Sequence, residues 1–171
     1  MRGCCFTFAL ILASGCTAPE PEASTSSPTP PGLAGVWELA SYTVTNSDGE
    51  ARFPFGEQPK GQIVYSETGQ MSALLMRSDY DVAPFSDLDF PAALQEVGLS
   101  AFFAYWGAYT FDEASGTVTH EIKGCLYPDW VGTSQGRNVR FEDPDHLVIW
   151  AQLADVGDPG DLYELRWTRV Q

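Results

Sequence analysis

The residues best suited to chemistry lie within residues 117–135, TVTHEIKGCLYPDWVGTSQ. This segment begins as an alternating strand, in which successive side chains point to opposite faces. One predicted face is apolar except for a single imidazole and consists of Val118, His120, Ile122 and Gly124. The other predicted face is polar, suits solvent and consists of Thr119, Glu121, Lys123 and Cys125. The pattern therefore predicts an imidazole buried in an apolar wall, with Trp130 near its end.

A buried neutral imidazole such as that of His120 can accept a proton, donate a hydrogen bond or bind a metal ion. The chain has only two histidines, and His146 lies at a predicted turn, which excludes a three-histidine zinc site. We therefore expect no metal and no other cofactor. Glu121 points away from His120 by alternation, so these two residues do not form a catalytic pair. A structural or ligand-contact function is favoured, and His120 remains a catalytic candidate only.

Several tyrosines and arginines lie at strand positions that would face the same interior as His120. If those faces are internal, the protein contains an aromatic cavity with a few hydrogen-bonding groups, as small-molecule sites usually do. The alternative, that the aromatic rings fill the interior completely, is left open by the sequence. The candidate ligand-binding residues are Tyr65, Arg77, Tyr105, Tyr109, His120, Trp130 and Arg140.

Short alternating segments recur along the chain and are separated by turn signals such as Asn46-Ser47-Asp48-Gly49. Strands are predicted at residues 35–45, 61–66, 70–76, 105–112, from 117, 134–142, 146–153 and 162–170, with helical spacing at 90–103. An eight-stranded antiparallel sheet avoids exposed edges by closing around a narrow interior. We therefore predict an all-β fold, an eight-stranded antiparallel up-and-down barrel with one inserted helix. A seven-stranded sandwich is the alternative.

The first 15 residues have the features of an export signal, with Arg2 before a short apolar run at residues 6–13. That run is much shorter than the roughly 20 residues that a membrane-spanning helix needs. The following Ala13-Ser14-Gly15-Cys16 resembles the lipobox of bacterial lipoproteins. The resemblance implies lipidation of Cys16 after cleavage behind Gly15. A plain secretory signal peptide is the alternative.

Residues 17–31, TAPEPEASTSSPTPP, lack apolar periodicity, and their prolines favour an extended, disordered tether. The expected organisation is a lipoprotein signal peptide at 1–15, the lipidated Cys16 and tether at 16–31, and a barrel domain at 32–171. Thr17, at the position where an aspartate retains lipoproteins in the inner membrane, resembles an outer-membrane sorting signal. The expected location is the bacterial cell envelope, with a lipid anchor in the outer membrane facing the periplasm in a Gram-negative cell.

The chain is strongly acidic, with 9 Lys and Arg against 23 Asp and Glu and a net charge of -14. Such a field repels nucleic acid and anionic lipid headgroups. We therefore expect no nucleic-acid partner, and membrane attachment through the lipid on Cys16 rather than through charge. Cys125 is the one cysteine of the predicted body and is expected to be a packed thiol, since no neighbouring cation lowers its pKa.

The predicted body resembles the lipocalin-like domain found in many bacterial and some fungal proteins. The resemblance covers residues 33–170, and its most specific motifs are Pro54-Phe55-Gly56 and Trp130-Val131-Gly132. It implies a small calycin-type barrel without a settled activity. Asp129 departs from the asparagine that is typical of the family at this position. The opening Gly35-Val36-Trp37 also resembles true lipocalins, which implies that Arg166 or Arg169 covers the ring of Trp37 by a cation–π contact.

Three functions follow from these features. The leading hypothesis is a lipid-anchored barrel that binds a small, mostly apolar molecule in its interior. The first alternative is a small-molecule isomerase or cyclase that uses His120 as its acid and base with a tyrosine or arginine partner. The second alternative is an envelope protein-interaction module that docks an unknown protein partner through an exposed Trp130.

Overall fold

One antiparallel sheet contains every strand in the part of the chain that the computed structural model describes, residues 32–78, 101–153 and 157–171. The described strands are β1 Gly35–Thr45, β2 Ala51–Arg52, β3 Lys60–Tyr65, β4 Gln70–Met76, β5 Phe102–Asp112, β6 Thr117–Cys125, β7 Ser134–Asp143, β8 His146–Gln152 and β9 Leu162–Arg169. A 3₁₀ turn, Pro128–Trp130, follows β6. Within these residues, no helix combines the length and the apolar character needed to cross a bilayer.

The sheet closes because β1, which lies next to β3 near one end of the strand order, also pairs with β9 at the other end. Its first residues pair with β3, and the stretch from Trp37, opposite Arg169, to Thr45, opposite Leu162, pairs with β9. Each remaining long strand pairs with its neighbours in chain order, whereas β2 pairs only with the end of β1. The predicted eight-stranded up-and-down barrel is confirmed, with the unpredicted two-residue β2 added at its rim.

The predicted helix at residues 90–103 is wrong at its end. Phe102 and Phe103 belong to β5, where they pair with Met76 and Leu75 of β4. Pairing with a neighbouring strand buries backbone and side chains together, and this tertiary gain overrides the local helical spacing. Ala101 is helical, and the rest of that prediction, residues 90–100, lies outside the described residues, as do the predicted signal peptide and tether.

Arg169 and Trp37 cover one end of the barrel. The guanidinium carbon of Arg169 lies 4.0 Å from the centroid of the Trp37 ring, which is fully buried. Arg169 also donates hydrogen bonds to the backbone carbonyls of Gly32, Ala34 and Pro144. The expected cation–π contact is therefore confirmed for Arg169. Arg166, the other candidate, lies outside the barrel and pairs with glutamates.

A β-bulge in β6 reverses the predicted faces at the end of that strand. Trp106 pairs with Gly124, but Gly107 pairs with Ile122, so Lys123 is the extra residue. Gly124 therefore lies beside Trp106, which is 54% exposed on the outer surface. Cys125 lies opposite Tyr105 and shares its inward face, so the prediction of an outward Cys125 is wrong. Burial raises the pKa of the Cys125 thiol, as expected for a packed residue.

Gly107 allows the bulge to approach β5, and we expect Gly107→Ala to destabilise the barrel by more than about 2 kcal/mol. A Cβ at residue 107 would overlap the backbone carbonyl of Glu121, which cannot move without breaking the sheet. Urea unfolding measures the change, and Gly136→Ala on β7 is the matched control because its Cβ would contact nothing within 4 Å. Equal stability of the two variants would contradict the importance of this close approach.

Candidate functional site: the barrel cavity

The described part of the barrel contains a cavity of about 350 Å³. Much of its wall is apolar and includes Ile63, Leu75, Phe103, Ile149, Leu165 and Trp167. Its lining also includes six polar or titratable side chains, those of Tyr42, Tyr105, His120, Tyr127, Arg137 and Tyr163. The cavity forms because alternate residues of every long strand point inward and their side chains leave part of the interior unfilled.

A chain of hydrogen bonds, Tyr65–His120–Tyr105, connects three strands beside the cavity. The hydroxyl of Tyr65 lies 2.8 Å from His120 Nε2, and the hydroxyl of Tyr105 lies 3.2 Å from His120 Nδ1. His120 is 1% exposed, so these two hydroxyls satisfy both nitrogens of a buried ring. A neutral imidazole donates from one nitrogen and accepts at the other. One tyrosine therefore donates to His120 and the other accepts from it.

Burial keeps this hydrogen-bonded chain neutral. Loss of solvation, followed by the positive charge of Arg137, lowers the pKa of His120 from its ordinary 6.5 to about 3. Burial also raises the pKa of Tyr65 and the pKa of Tyr105 above their ordinary value. A group with such a low pKa is a weak base near neutral pH. The arrangement therefore suits hydrogen bonding better than proton transfer by His120.

Trp130 forms part of the cavity wall and is 5% exposed. The 3₁₀ turn Pro128–Trp130 turns its ring inward, where it meets Phe103, Tyr105 and Tyr127 edge-on. The expectation of an exposed Trp130 that docks a protein partner is therefore wrong. The ring buries its apolar surface inside its own barrel because the rings of Phe103, Tyr105 and Tyr127 pack against it there.

Arg137 is a cavity residue that the sequence interpretation missed. Its guanidinium carbon lies 5.4 Å from the centroid of the Trp130 ring, and Nη1 donates to the carbonyl of Gly136 at 2.8 Å. The signal was available, because Arg137 has the same parity on β7 as the buried Val139. The sequence prediction named Arg140 instead, which lies on the opposite face of β7.

Arg140 lies outside the cavity, contrary to the prediction that it faces inward. Its side chain is 55% exposed, its guanidinium carbon lies 5.6 Å from the centroid of the Trp150 ring, and it pairs with Glu142 at 3.6 Å. Arg77 follows β4, is half-buried and does not line the cavity. The alternation of β7 explains the error for Arg140, since residue 140 is adjacent to an inward residue.

The remaining predicted residues gather around His120. Tyr105, His120 and Trp130 line the cavity, whereas Tyr65 lies behind His120 and holds its ring. Tyr109 does not line the cavity, because its hydroxyl donates to the carbonyl of Ser66 at 2.8 Å. Its ring packs edge-on against Tyr65, with a centroid distance of 4.8 Å. The structure thus brings together most of the predicted aromatic group but neither predicted arginine.

The fold and the site together define the class of protein, which is a closed antiparallel β-barrel with an aromatic interior cavity. The family model described as the lipocalin-like domain matches residues 34–170, so the chain belongs to this lipocalin-like family. No curated protein matches the chain. Among solved structures, the chain is similar to a redesigned β-barrel at 15% identity, with 81% of this chain and 92% of that chain covered and a TM-score of 0.42.

Acidification is expected to weaken the fold through His120. Because the pKa of His120 is lowered to about 3 in the folded protein, only the unfolded chain gains its proton as the pH falls through 6.5. The stabilisation is complete above that pH and declines towards pH 3. From pH 7 to pH 5, the free energy of unfolding should fall by about 2 kcal/mol more in the wild type than in His120→Gln.

Urea unfolding at the two pH values measures this difference. In the folded wild type, the NMR signals of the His120 ring should also show no titration between pH 8 and pH 5. An equal loss of stability in both proteins, or a ring that titrates within this interval, would contradict the neutral buried state.

Proposed function

We propose that the protein binds a small, mostly apolar molecule in the barrel cavity. The observation that carries this proposal is an interior of about 350 Å³ that the aromatic side chains leave unfilled. Small-molecule sites are typically about 300–1,000 Å³ and combine an apolar wall with a few polar groups. The cavity lies near the lower end of that range. Its ligand is therefore compact, such as a single ring system or a short alkyl chain.

The polar groups of the wall are arranged for recognition. The hydrogen bonds from Tyr65 and Tyr105 hold the His120 ring in one orientation before any ligand enters. A preorganised wall loses little conformational entropy on binding, which strengthens affinity. The same hydrogen bonds occupy both ring nitrogens, and the low pKa of His120 makes it a weak base. The geometry supports binding over an isomerase or cyclase mechanism based on this histidine.

The closed sheet favours binding in the interior of the barrel over binding at a sheet edge. Leu39, Ile63 and Trp167 are buried on inward faces, and the closure of β1 against β9 leaves no long unpaired edge among the described strands. Binding through strand addition at a sheet edge is therefore disfavoured. A ligand inside the barrel instead contacts side chains from several strands at once.

Filling the cavity should abolish binding without unfolding the protein. Ala73 lines the cavity and is buried, so Ala73→Leu adds three carbon atoms into that space. We expect at least a tenfold loss of affinity for N-phenyl-naphthylamine, a neutral apolar dye that fluoresces when bound (about 1.4 kcal/mol). The measurement is dye titration, with circular dichroism to confirm the fold.

Ala40→Leu is the matched control, because Ala40 is exposed on β1 and the same atoms are added outside the barrel. This variant should bind the dye as the wild type does. The proposal fails if the wild-type protein binds neither the dye nor any small apolar compound in native mass spectrometry. It also fails if Ala73→Leu binds as tightly as Ala40→Leu.

We further propose that this binding takes place at a membrane of the cell envelope, to which a lipid on Cys16 anchors the protein. The support is the lipobox-like Ala13-Ser14-Gly15-Cys16 and the proline-rich residues 17–31 that follow it. An extended tether of this kind separates a barrel from the bilayer surface. In a bacterial host, the full chain should incorporate an alkyne fatty acid and fractionate with membranes, whereas Cys16→Ser should do neither. Equal labelling of both proteins would contradict the anchor.

A further inference from the structure

The described cavity lining contains a single side chain that is charged at neutral pH, that of Arg137. No aspartate or glutamate is among these lining residues, and the lowered pKa of His120 leaves its ring neutral. The cavity is therefore electropositive, although the whole chain carries a net charge of -14. Since the chain has far more acids than bases, a cation with no acid among its described neighbours is an unusual feature of this molecule.

The contacts of Arg137 with the described residues are all made to neutral groups. Nη1 donates to the carbonyl of Gly136 at 2.8 Å and, more weakly, to Oε1 of Gln135 at 3.4 Å. The planar group also lies over the ring of Trp130. A guanidinium has five N–H donors, so the donors on Nη2 and Nε are not used by the described residues.

Other arginines of the described chain are neutralised or saturated. Arg52 pairs with the buried Asp161, and Arg166 pairs with Glu142 and Glu164. Arg169 uses three donors on backbone carbonyls at the covered end of the barrel. Arg137 differs because it lines a mostly apolar cavity and pairs with no acid among the described residues. A cation in such surroundings is stabilised by an anion that pairs with it and excludes water.

The charge of Arg137 acts on the groups around the cavity. It contributes to lowering the pKa of His120, and it opposes the burial that raises the pKa of Tyr105 and the pKa of Tyr42. These residues come from three different strands, so the positive potential extends across the cavity. An anionic group inside the cavity would therefore be attracted towards Arg137.

We infer that the ligand of the cavity is a small amphiphilic carboxylic acid whose carboxylate pairs with the guanidinium of Arg137. This inference rests on the proposed function, because it names the chemical class bound at the same site. A planar carboxylate matches two parallel N–H donors of a guanidinium, and the pair forms short, charge-assisted hydrogen bonds. The apolar body of the acid lies against Ile63, Leu75 and Ile149.

A single negative charge fits the site better than a phosphate group. A phosphate carries nearly two charges at neutral pH and presents three strong acceptor oxygens. The described lining offers only one cation, and much of the remaining wall is apolar. A monocarboxylate balances that cation and leaves the rest of the molecule free to be hydrophobic.

The test compares phenylbutyrate with its uncharged isostere, phenylbutanamide, by displacement of N-phenyl-naphthylamine. The wild-type protein should bind the acid at least about tenfold more tightly than the amide, because a hydrogen bond to a charged group is stronger than one between neutral groups. Arg137→Gln should abolish this preference and retain amide affinity within about threefold. Arg137→Lys should retain part of the preference, because it keeps the charge without the planar pair of donors.

Arg140→Gln is the matched control, since it removes an arginine from the same strand but outside the cavity. It should keep the wild-type preference for the acid. Equal affinities for acid and amide in the wild type, or a preference that survives in Arg137→Gln, would overturn the inference while dye binding still upheld the proposed function. A wild-type protein that binds neither the dye nor any small apolar compound in native mass spectrometry would overturn both.

Discussion

The pairing of β1 with β9 is the interaction on which the rest of the structure depends. β1 and β9 contribute the residues at the two ends of the described chain, and their hydrogen bonds convert an open sheet into a barrel. Closure removes both edges of the long-stranded sheet, which would otherwise invite pairing with other chains. Closure also gives the sheet an interior face, which surrounds the cavity. The contact between Arg169 and Trp37 secures the same seam, because residue 169 lies opposite residue 37 in this pairing.

Closure creates an interior, part of which is filled by packed side chains and part of which is open cavity. Around Tyr65 and His120 it is filled, and each polar atom of the histidine ring has a partner. Around Arg137 and Trp130 it is open, and the guanidinium of Arg137, which lines the cavity, has donors that the described residues do not use. A neutral, saturated hydrogen-bond network gives rigidity, whereas a charge with spare donors gives selectivity. The two regions therefore make different contributions to the proposed binding.

Local features of the sequence predicted much of the fold. Alternation and the flanking turn signals predicted the bounds of β1 and β4 correctly, because turn residues end a strand where they interrupt its pairing. Alternation also correctly turned His120 inward between Val118 and Ile122. It failed beyond the bulge at Lys123, since one extra residue reverses the face of everything that follows it. Nothing in the alternation of β6 alone reveals that reversal.

The candidate site shows the same division. The sequence by itself determined which residues could meet in an aromatic interior, because the period of a strand is local and the membership of each face follows from it. The alternation of β7 could have placed Arg137 beside Val139 on the inner face, but only the tertiary structure decided that Trp130 belongs to the wall of the cavity rather than to the surface, and that the interior retains about 350 Å³ of space. These properties depend on register, bulges and the packing of side chains from strands distant in the chain. Such long-range contacts leave no periodic signal in any one segment.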